Sequence, residues 1–235
     1  MSENRQVERA AKRLLDLLGA TLGSIIALPF AGLIWVVVRV RMGSPAFYGQ
    51  VRAGRDGAPF TLWKFRTMTG SRDESGSLLP DAQRLRALGL LLRRFSLDEL
   101  PQLVNVLCGE MSLVGPRPLL LRYLPRYSPR QRLRLVAKPG ITGWAQVNGR
   151  NTTDWSTRLE LDAWYAENWT FGLDLKILAL TLLQVFKTGS VKPGAGAELD
   201  EFWGEAGPPA EGPRAFPVEQ DERAAVVIGQ LKERA

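Results

Sequence analysis

From Leu17 to Val38 the chain reads LLGATLGSIIALPFAGLIWVVV, twenty-two residues without a charge. About twenty apolar residues suffice to cross a bilayer as a helix. Uncharged runs of this length are rare in soluble cores. The run is also too long, and its lead too amphipathic, for a cleaved signal peptide. Two features argue against a straight span. Pro29 lies mid-run, where it removes a backbone hydrogen bond and bends or breaks a helix. Both flanks are basic, with Arg9, Lys12 and Arg13 before the run and Arg39, Arg41, Arg52 and Arg55 after it. The positive-inside bias places both flanks in the cytoplasm. A re-entrant helix, broken at Pro29 and returning to the same face, satisfies both. Thr21 and Ser24 are the candidates to partner the backbone groups freed at the break.

Beyond residue 46 the pattern changes. FYGQVRAGRDGAPFTLWKFRTM, residues 47–68, partly alternates apolar and polar positions around Asp56-Gly57, which predicts a β-hairpin. Residues 69–80 are rich in Ser, Gly and Asp and read as a mobile loop. From 81 to about 136 the spacing is helical. Leu85, Leu88, Leu91 and Leu92 stack on one side, with Arg84, Arg86, Arg93 and Arg94 around them. Basic amphipathic helices of this kind suit a membrane surface, and equally an ordinary core-and-solvent boundary. Residues 138–151 form a glycine-bearing loop, and 156–169 and 173–187 are two further helices. After Thr188 the composition turns to Gly, Pro and Glu and predicts a flexible tail, with a short helix near 218–233. The expected fold class is α+β and mainly helical. Residues 1–42 carry the basic lead and membrane helix, 43–190 a compact catalytic domain with a small hairpin and amphipathic interfacial helices, and 191–235 an acidic tail.

Charge sharpens this division. The net charge is +7, yet from Glu198 onward nine acids face four bases, so residues 1–197 carry about +12. A body that basic suits a polyanionic partner: nucleic acid, a phosphorylated ligand or anionic lipid. The chain has no histidine, which excludes histidine triads, histidine bases and histidine metal sites. Its one cysteine, Cys108, permits no internal disulfide and reads as a core residue of an apolar helix. Chemistry is left to carboxylates, Lys/Arg, hydroxyls, the thiol or a bound metal.

The densest chemical stretch is RRFSLDELPQLVNVLCGEMSLVGPRP, residues 93–118. Ser96-Leu97-Asp98-Glu99 fits a capping box, with Ser96 as N-cap and Glu99 reaching back to its amide. The same two acids can serve catalysis instead. Arg117, between Pro116 and Pro118, is stiffened toward extended backbone, which lowers the entropy lost in placing a guanidinium on phosphate. Lys64 and Arg66, at the end of the second hairpin strand, are further phosphate candidates; for Arg66 an ordinary surface charge is as good a reading.

KFRTM at 64–68, SLDELPQLVNVL at 96–107, GEMSLVGPRPLL at 109–120, PGITGWAQVNGRN at 139–151 and LELDAWYAENWTFGLDLKIL at 159–178 together resemble the bacterial sugar transferase family. These are the monotopic phosphoglycosyl transferases that start glycoconjugate assembly on polyprenol phosphate. Order and spacing agree from about residue 10 to 190, and the chain looks like the smallest type. The family's membrane helix usually breaks at Ser-Pro, where this chain has Leu28-Pro29.

The resemblance implies transfer of a sugar-1-phosphate from a nucleotide diphosphate sugar, a UDP-sugar for preference, to undecaprenyl phosphate. UMP would leave, as the first membrane step of O-antigen, capsule, exopolysaccharide or glycoprotein assembly. It implies Asp98 as nucleophile, Mg2+ as cofactor with Asp98 and Glu99 as ligands, and an inner-membrane protein whose catalytic domain faces the cytoplasm. The chemistry suits the residues: a carboxylate is already anionic at neutral pH and needs no base. Glu99 is then a metal ligand, a local organiser or only a cap. Arg93 would orient a carboxylate or hold substrate, and the Gly143–Arg150 loop would bring backbone amides and Arg150 to the nucleotide. Asp162 and Asp174 brace those arginines or form simpler structural pairs. A homodimer is left open. The rival reading is a basic, membrane-tethered nucleic-acid-binding or scaffold protein, but the arginines are interleaved with leucines and no nucleic-acid-binding signature is present.

Overall fold

The computed structural model describes residues 3–148, 154–187 and 201–204. Helix α1, Glu3–Met42, carries the apolar run, and it is long and apolar enough to cross a membrane. Pro29 lies inside this one helix, so the expected interruption into two helices is absent. An interior proline forfeits its own i→i−4 bond, and the turns on either side keep theirs.

The polar lead of α1 is not a free basic flank. Positions 12, 16 and 20 share one helical face. Lys12 Nζ donates to the Val114 carbonyl (2.9 Å) and to Asp174 Oδ2 (2.6 Å). Asp16 Oδ1 accepts from Ser112 Oγ (2.9 Å) and the Leu113 amide (2.8 Å). Ala20 is buried against Phe60, Leu62, Val106 and Met111. At the other end of α1, Val38 packs on Ala46 and Leu92. Between these two docked stretches Ile25, Ile26, Leu28, Phe30 and Leu33 are exposed.

The hairpin forms as expected. Strands β1, Phe47–Ala53, and β2, Pro59–Phe65, pair antiparallel, with Tyr48 opposite Lys64. The turn places Asp56 and Gly57 at φ 56° and 78°, the left-handed region that Asp and Gly tolerate best. The expected mobile loop is organised in part: Asp73 Oδ1 accepts the amides of Ser75 and Ser77 (both 2.9 Å).

The expected helical region from 81 to 136 is instead a series of short pieces. They include helices α2, Asp81–Arg84, α3, Ala87–Arg94, and α4, Gln102–Cys108, strand β3, Ser112–Val114, and helix α5, Pro129–Arg132. Short 3-10 segments cover Leu97–Glu99, Leu121–Arg126 and Leu133–Val136. Prolines at 101, 116, 118, 125 and 129 explain the fragmentation, since each removes an amide from any helix that would run through it. Cys108 ends α4 and is exposed, which corrects its assignment to the core. Arg13 covers that helix end, donating to the carbonyls of Val106 (2.8 Å) and Leu107 (2.9 Å), the favoured place for a cation at a helix C-terminus.

The loop expected at 138–151 contains strand β4, Gly140–Thr142, parallel to β3, and helix α6, Trp144–Asn148. Beyond the end of β3, the Pro116 carbonyl accepts the Gly140 amide (3.0 Å). A side chain at Gly115 would meet the Lys138 carbonyl at 2.2 Å, so glycine is what lets the 140 loop lie against the residues leading to Arg117. Helices α7, Trp155–Glu167, and α8, Phe171–Lys187, complete the body. Asp154 caps α7 by accepting the amides of Ser156 and Thr157. Residues 201–204 lie on this body: Phe202 is buried among Tyr123, Tyr127 and Trp155, and Glu201 pairs with Arg126 (2.9 Å). The rest of the expected tail, with its helix near 218–233, lies outside the described residues.

Helix α3 meets the strand exit at Gly89, where a Cβ would sit 1.9 Å from the Thr67 carbonyl. Alanine is about 1 kcal/mol better than glycine inside a helix. The clash is with backbone and outweighs that gain. Gly89→Ala is expected to destabilise the fold by about 1–3 kcal/mol in thermal unfolding of detergent-solubilised protein.

Candidate active site

Three short elements bring the carboxylates and cations together: the end of β2, the Leu97–Glu99 turn and the segment leaving β3. Asn105, on helix α4 just after that turn, ties α4 to β2. Its side chain accepts the Trp63 amide (3.3 Å) and donates to the Thr61 carbonyl (2.7 Å), taking the place of a neighbouring strand along β2. Asn105 is buried, and its amide also donates to Glu110 (2.7 Å).

The Leu97–Glu99 turn does not begin with the expected capping box. Ser96 is left-handed, at φ 54° and ψ 24°, and its side chain makes no cap hydrogen bond. The chain turns sharply out of α3 there, which leaves Glu99 free to reach cations rather than the Ser96 amide. Glu99 Oε1 accepts from Lys64 Nζ (2.9 Å) and Arg117 Nη2 (2.5 Å), and Oε2 from Arg117 Nη1 (3.5 Å). The Glu99 and Lys64 side chains are 14% and 23% exposed and that of Arg117 40%, so one side of the cluster opens to solvent.

Burial alone would raise the Glu99 pKa, but the charges and hydrogen bonds of Arg117 and Lys64 outweigh it and hold the carboxyl well below the usual range. Glu99 in turn raises the pKa of Arg117. Lys64 is lowered because burial outweighs the pull of Glu99, and Arg117 adds to the shift.

Asp98 differs from its neighbour. It is 6% exposed and has no hydrogen bond or ion pair with any described residue. Burial pushes its pKa up; Lys64 pulls it down, Glu99 pushes up again, and Arg93 and Arg117 pull it down. The result is a carboxylate poised among cations but committed to none.

The remaining expected residues fall at different places. Arg93 donates from Nε to Thr67 Oγ1 (3.1 Å), and its charge reaches Asp98. Arg66 spends its guanidinium on the carbonyls of Met68 (2.8 Å) and Ser44 (3.1 Å). Asp162 holds Arg134 through Nε (3.1 Å) and Nη2 (2.9 Å), and Arg134 Nη2 donates to the Arg117 carbonyl (2.6 Å). Asp162 therefore acts on Arg117 through a residue that the sequence reading did not single out. Asp174 accepts from Lys12, Tyr165 Oη (2.7 Å) and Trp169 Nε1 (3.0 Å), tying α8 to α1. Arg150 lies outside the described residues. Arg134 and Asn105 carried no signal of their own, since an arginine among leucines and an asparagine in an apolar helix read as surface residues.

A hard divalent ion fits this donor set. Mg2+ is commonly held by one or two carboxylates plus phosphate oxygens, and the uncommitted carboxylate of Asp98 is such a donor. Glu99 is occupied by its two cations, and no group of three or more metal-ligating residues gathers among the described residues.

A cluster that sets one saturated and one free carboxylate among cations, beside a membrane-length helix, suits chemistry on an anionic group at a membrane surface. The chain belongs to the bacterial sugar transferase family, whose pattern matches residues 7–188. It is 55% identical over 168 residues to the uncharacterized sugar transferase EpsL of Bacillus subtilis, covering 72% of this chain and 83% of that protein. It is 40% identical over 204 residues to the undecaprenyl-phosphate galactose phosphotransferase of Salmonella typhimurium, covering 80% of this chain and 41% of the relative. It is also 40% identical over 192 residues to the UDP-glucose:undecaprenyl-phosphate glucose-1-phosphate transferase of Escherichia coli, with 77% and 41% covered. The chain thus spans about two fifths of the two longer relatives.

Proposed function

We propose that the protein transfers a sugar-1-phosphate from a UDP-sugar to undecaprenyl phosphate, releasing UMP. The family and the named relatives support an enzyme of the polyprenol-phosphate phosphoglycosyl transferase class in polysaccharide synthesis. They lend nothing to the rival nucleic-acid-binding or scaffold reading. The observation that carries the proposal is the uncommitted Asp98 carboxylate beside the Glu99–Lys64–Arg117 cluster.

The mechanism follows from those groups. An Asp98 oxygen attacks the phosphorus that bears the sugar. The bond from that phosphorus to the UMP oxygen breaks, and UMP leaves with the electron pair. A phosphate oxygen of the lipid then attacks the same phosphorus, and the Asp98 carboxylate departs unchanged. Both nucleophiles react as anions, so neither step needs a proton shuttle, in keeping with a chain that lacks histidine. Arg117 and Lys64 offset charge on the phosphates, while Glu99 fixes their positions. Mg2+, held by Asp98 with phosphate oxygens, would supply further charge neutralisation.

A re-entrant course of α1 is part of the proposal. It is supported by the docking of both the 12–20 and 38–42 stretches on the catalytic body, with exposed apolar residues between them, and it goes with an inner-membrane protein whose catalytic domain lies on the cytoplasmic side. A panel of UDP-sugars with undecaprenyl phosphate, followed by UMP release, tests the function. One sugar is expected to turn over in a lipid-dependent manner. No UMP release with any UDP-sugar would contradict the assignment.

A further inference from the structure

The charges of the central cluster cancel: Lys64 and Arg117 against Asp98 and Glu99. A nucleoside diphosphate adds about two negative charges to this balanced set, so cations beyond the quartet are needed. Among the described residues Arg93, bonded to Thr67, already faces Asp98, and a second guanidinium near the cluster has no carboxylate to itself. Arg158, in the first turns of α7, is half-buried, and its side chain makes no hydrogen bond or ion pair with any described residue; its guanidinium lies over the Trp155 ring, 5.8 Å from the centroid. Asp162, one turn further along the same face, is engaged twice by Arg134 through a single oxygen. The charges Arg158 feels are those of Arg117 and Arg134, which repel it, and of Asp162. Burial first, and then Arg117, lowers its pKa. Three guanidiniums sharing so few carboxylates are costly in the free protein, and an arriving anion relieves that cost.

We propose that Arg158 binds the diphosphate of the nucleotide-sugar donor together with Arg117. The inference rests on the donor reading above and adds to it a residue on α7. It also gives a reason for the Asp162–Arg134–Arg117 chain: Arg134 fixes the Arg117 backbone against the same helix that carries Arg158.

The test uses the full chain in detergent or nanodiscs with Mg2+ present. UDP is titrated calorimetrically into the wild type, Arg158→Gln and Arg158→Lys, and kcat and KM for the donor are measured alongside. Arg158→Gln is expected to weaken UDP binding and raise the donor KM by about tenfold or more, as loss of a charged hydrogen bond does. Its kcat should change less than about threefold, and ligand-free melting should be unchanged or higher, because a crowded cation has gone. Arg158→Lys should recover part of the affinity through its charge. Arg158→Ala gives the same reading should the glutamine variant fold poorly. A wild type that does not bind UDP would sink the donor reading itself. A wild type that binds UDP, with an Arg158→Gln protein that binds it equally well and melts lower, would make Arg158 a packing partner of Trp155 and overturn the inference.

Discussion

Asp98→Asn is expected to abolish sugar-phosphate transfer, by at least about 10^4-fold, the scale on which losing a nucleophile is felt. The fold should survive. Asp98 is buried and has no partner among the described residues that the substitution would strand. The sign of the stability change follows from its pKa. Burial raises the native value above the unfolded one, so stability falls as pH rises through the window between them. The asparagine variant lacks that penalty and should melt at the same temperature or higher at neutral pH. The raised pKa also bears on activity. If the ionised carboxylate attacks, kcat/KM of the wild type should fall on the acid side through an apparent pKa above the ordinary aspartate value near 3.9.

Glu99→Gln should behave differently, losing both activity and stability. The substitution removes the one anion that Lys64 and Arg117 share, leaving two cations facing each other. Breaking a fully buried pair costs about 3–5 kcal/mol. The Arg117 side chain is 40% exposed, so solvent screening reduces the expected cost to about 1–3 kcal/mol. Activity should fall by about 10^2–10^3-fold because the guanidinium no longer has a fixed position. The depressed pKa of Glu99 makes its contribution present at neutral pH and lost only in strong acid, as the carboxyl is protonated. The wild type and Glu99→Gln should therefore converge in stability toward low pH. Had Glu99 only capped a helix, loss of the cap would cost about 1 kcal/mol and leave turnover almost intact.

These two neighbours show how far the sequence alone reached. The membrane-length helix, the hairpin turn at Asp56-Gly57 and the cluster of Lys64, Asp98, Glu99 and Arg117 were legible, because each rests on a local pattern or on motifs in fixed order. The capping box was legible too, and absent. Its residue types were right, but the backbone at Ser96 is left-handed and two cations from distant segments compete for Glu99. Leucine spacing likewise suggested long helices where successive prolines allow only short ones and a strand. Asn105, Arg134 and Arg158 act through partners up to 44 positions away or through the lack of one, which no local pattern encodes.

The central claim is that Asp98 carries the sugar-phosphate between donor and lipid. It is tested most directly by intact-protein and peptide mass spectrometry of enzyme mixed with its UDP-sugar and Mg2+, without lipid acceptor, and quenched rapidly. The account predicts UMP release of up to one equivalent and a sugar-phosphate adduct on the peptide containing Asp98, absent from Asp98→Asn and discharged when undecaprenyl phosphate is added. UMP release that requires both substrates together, with no adduct at any quench time, would contradict it and make the transfer direct.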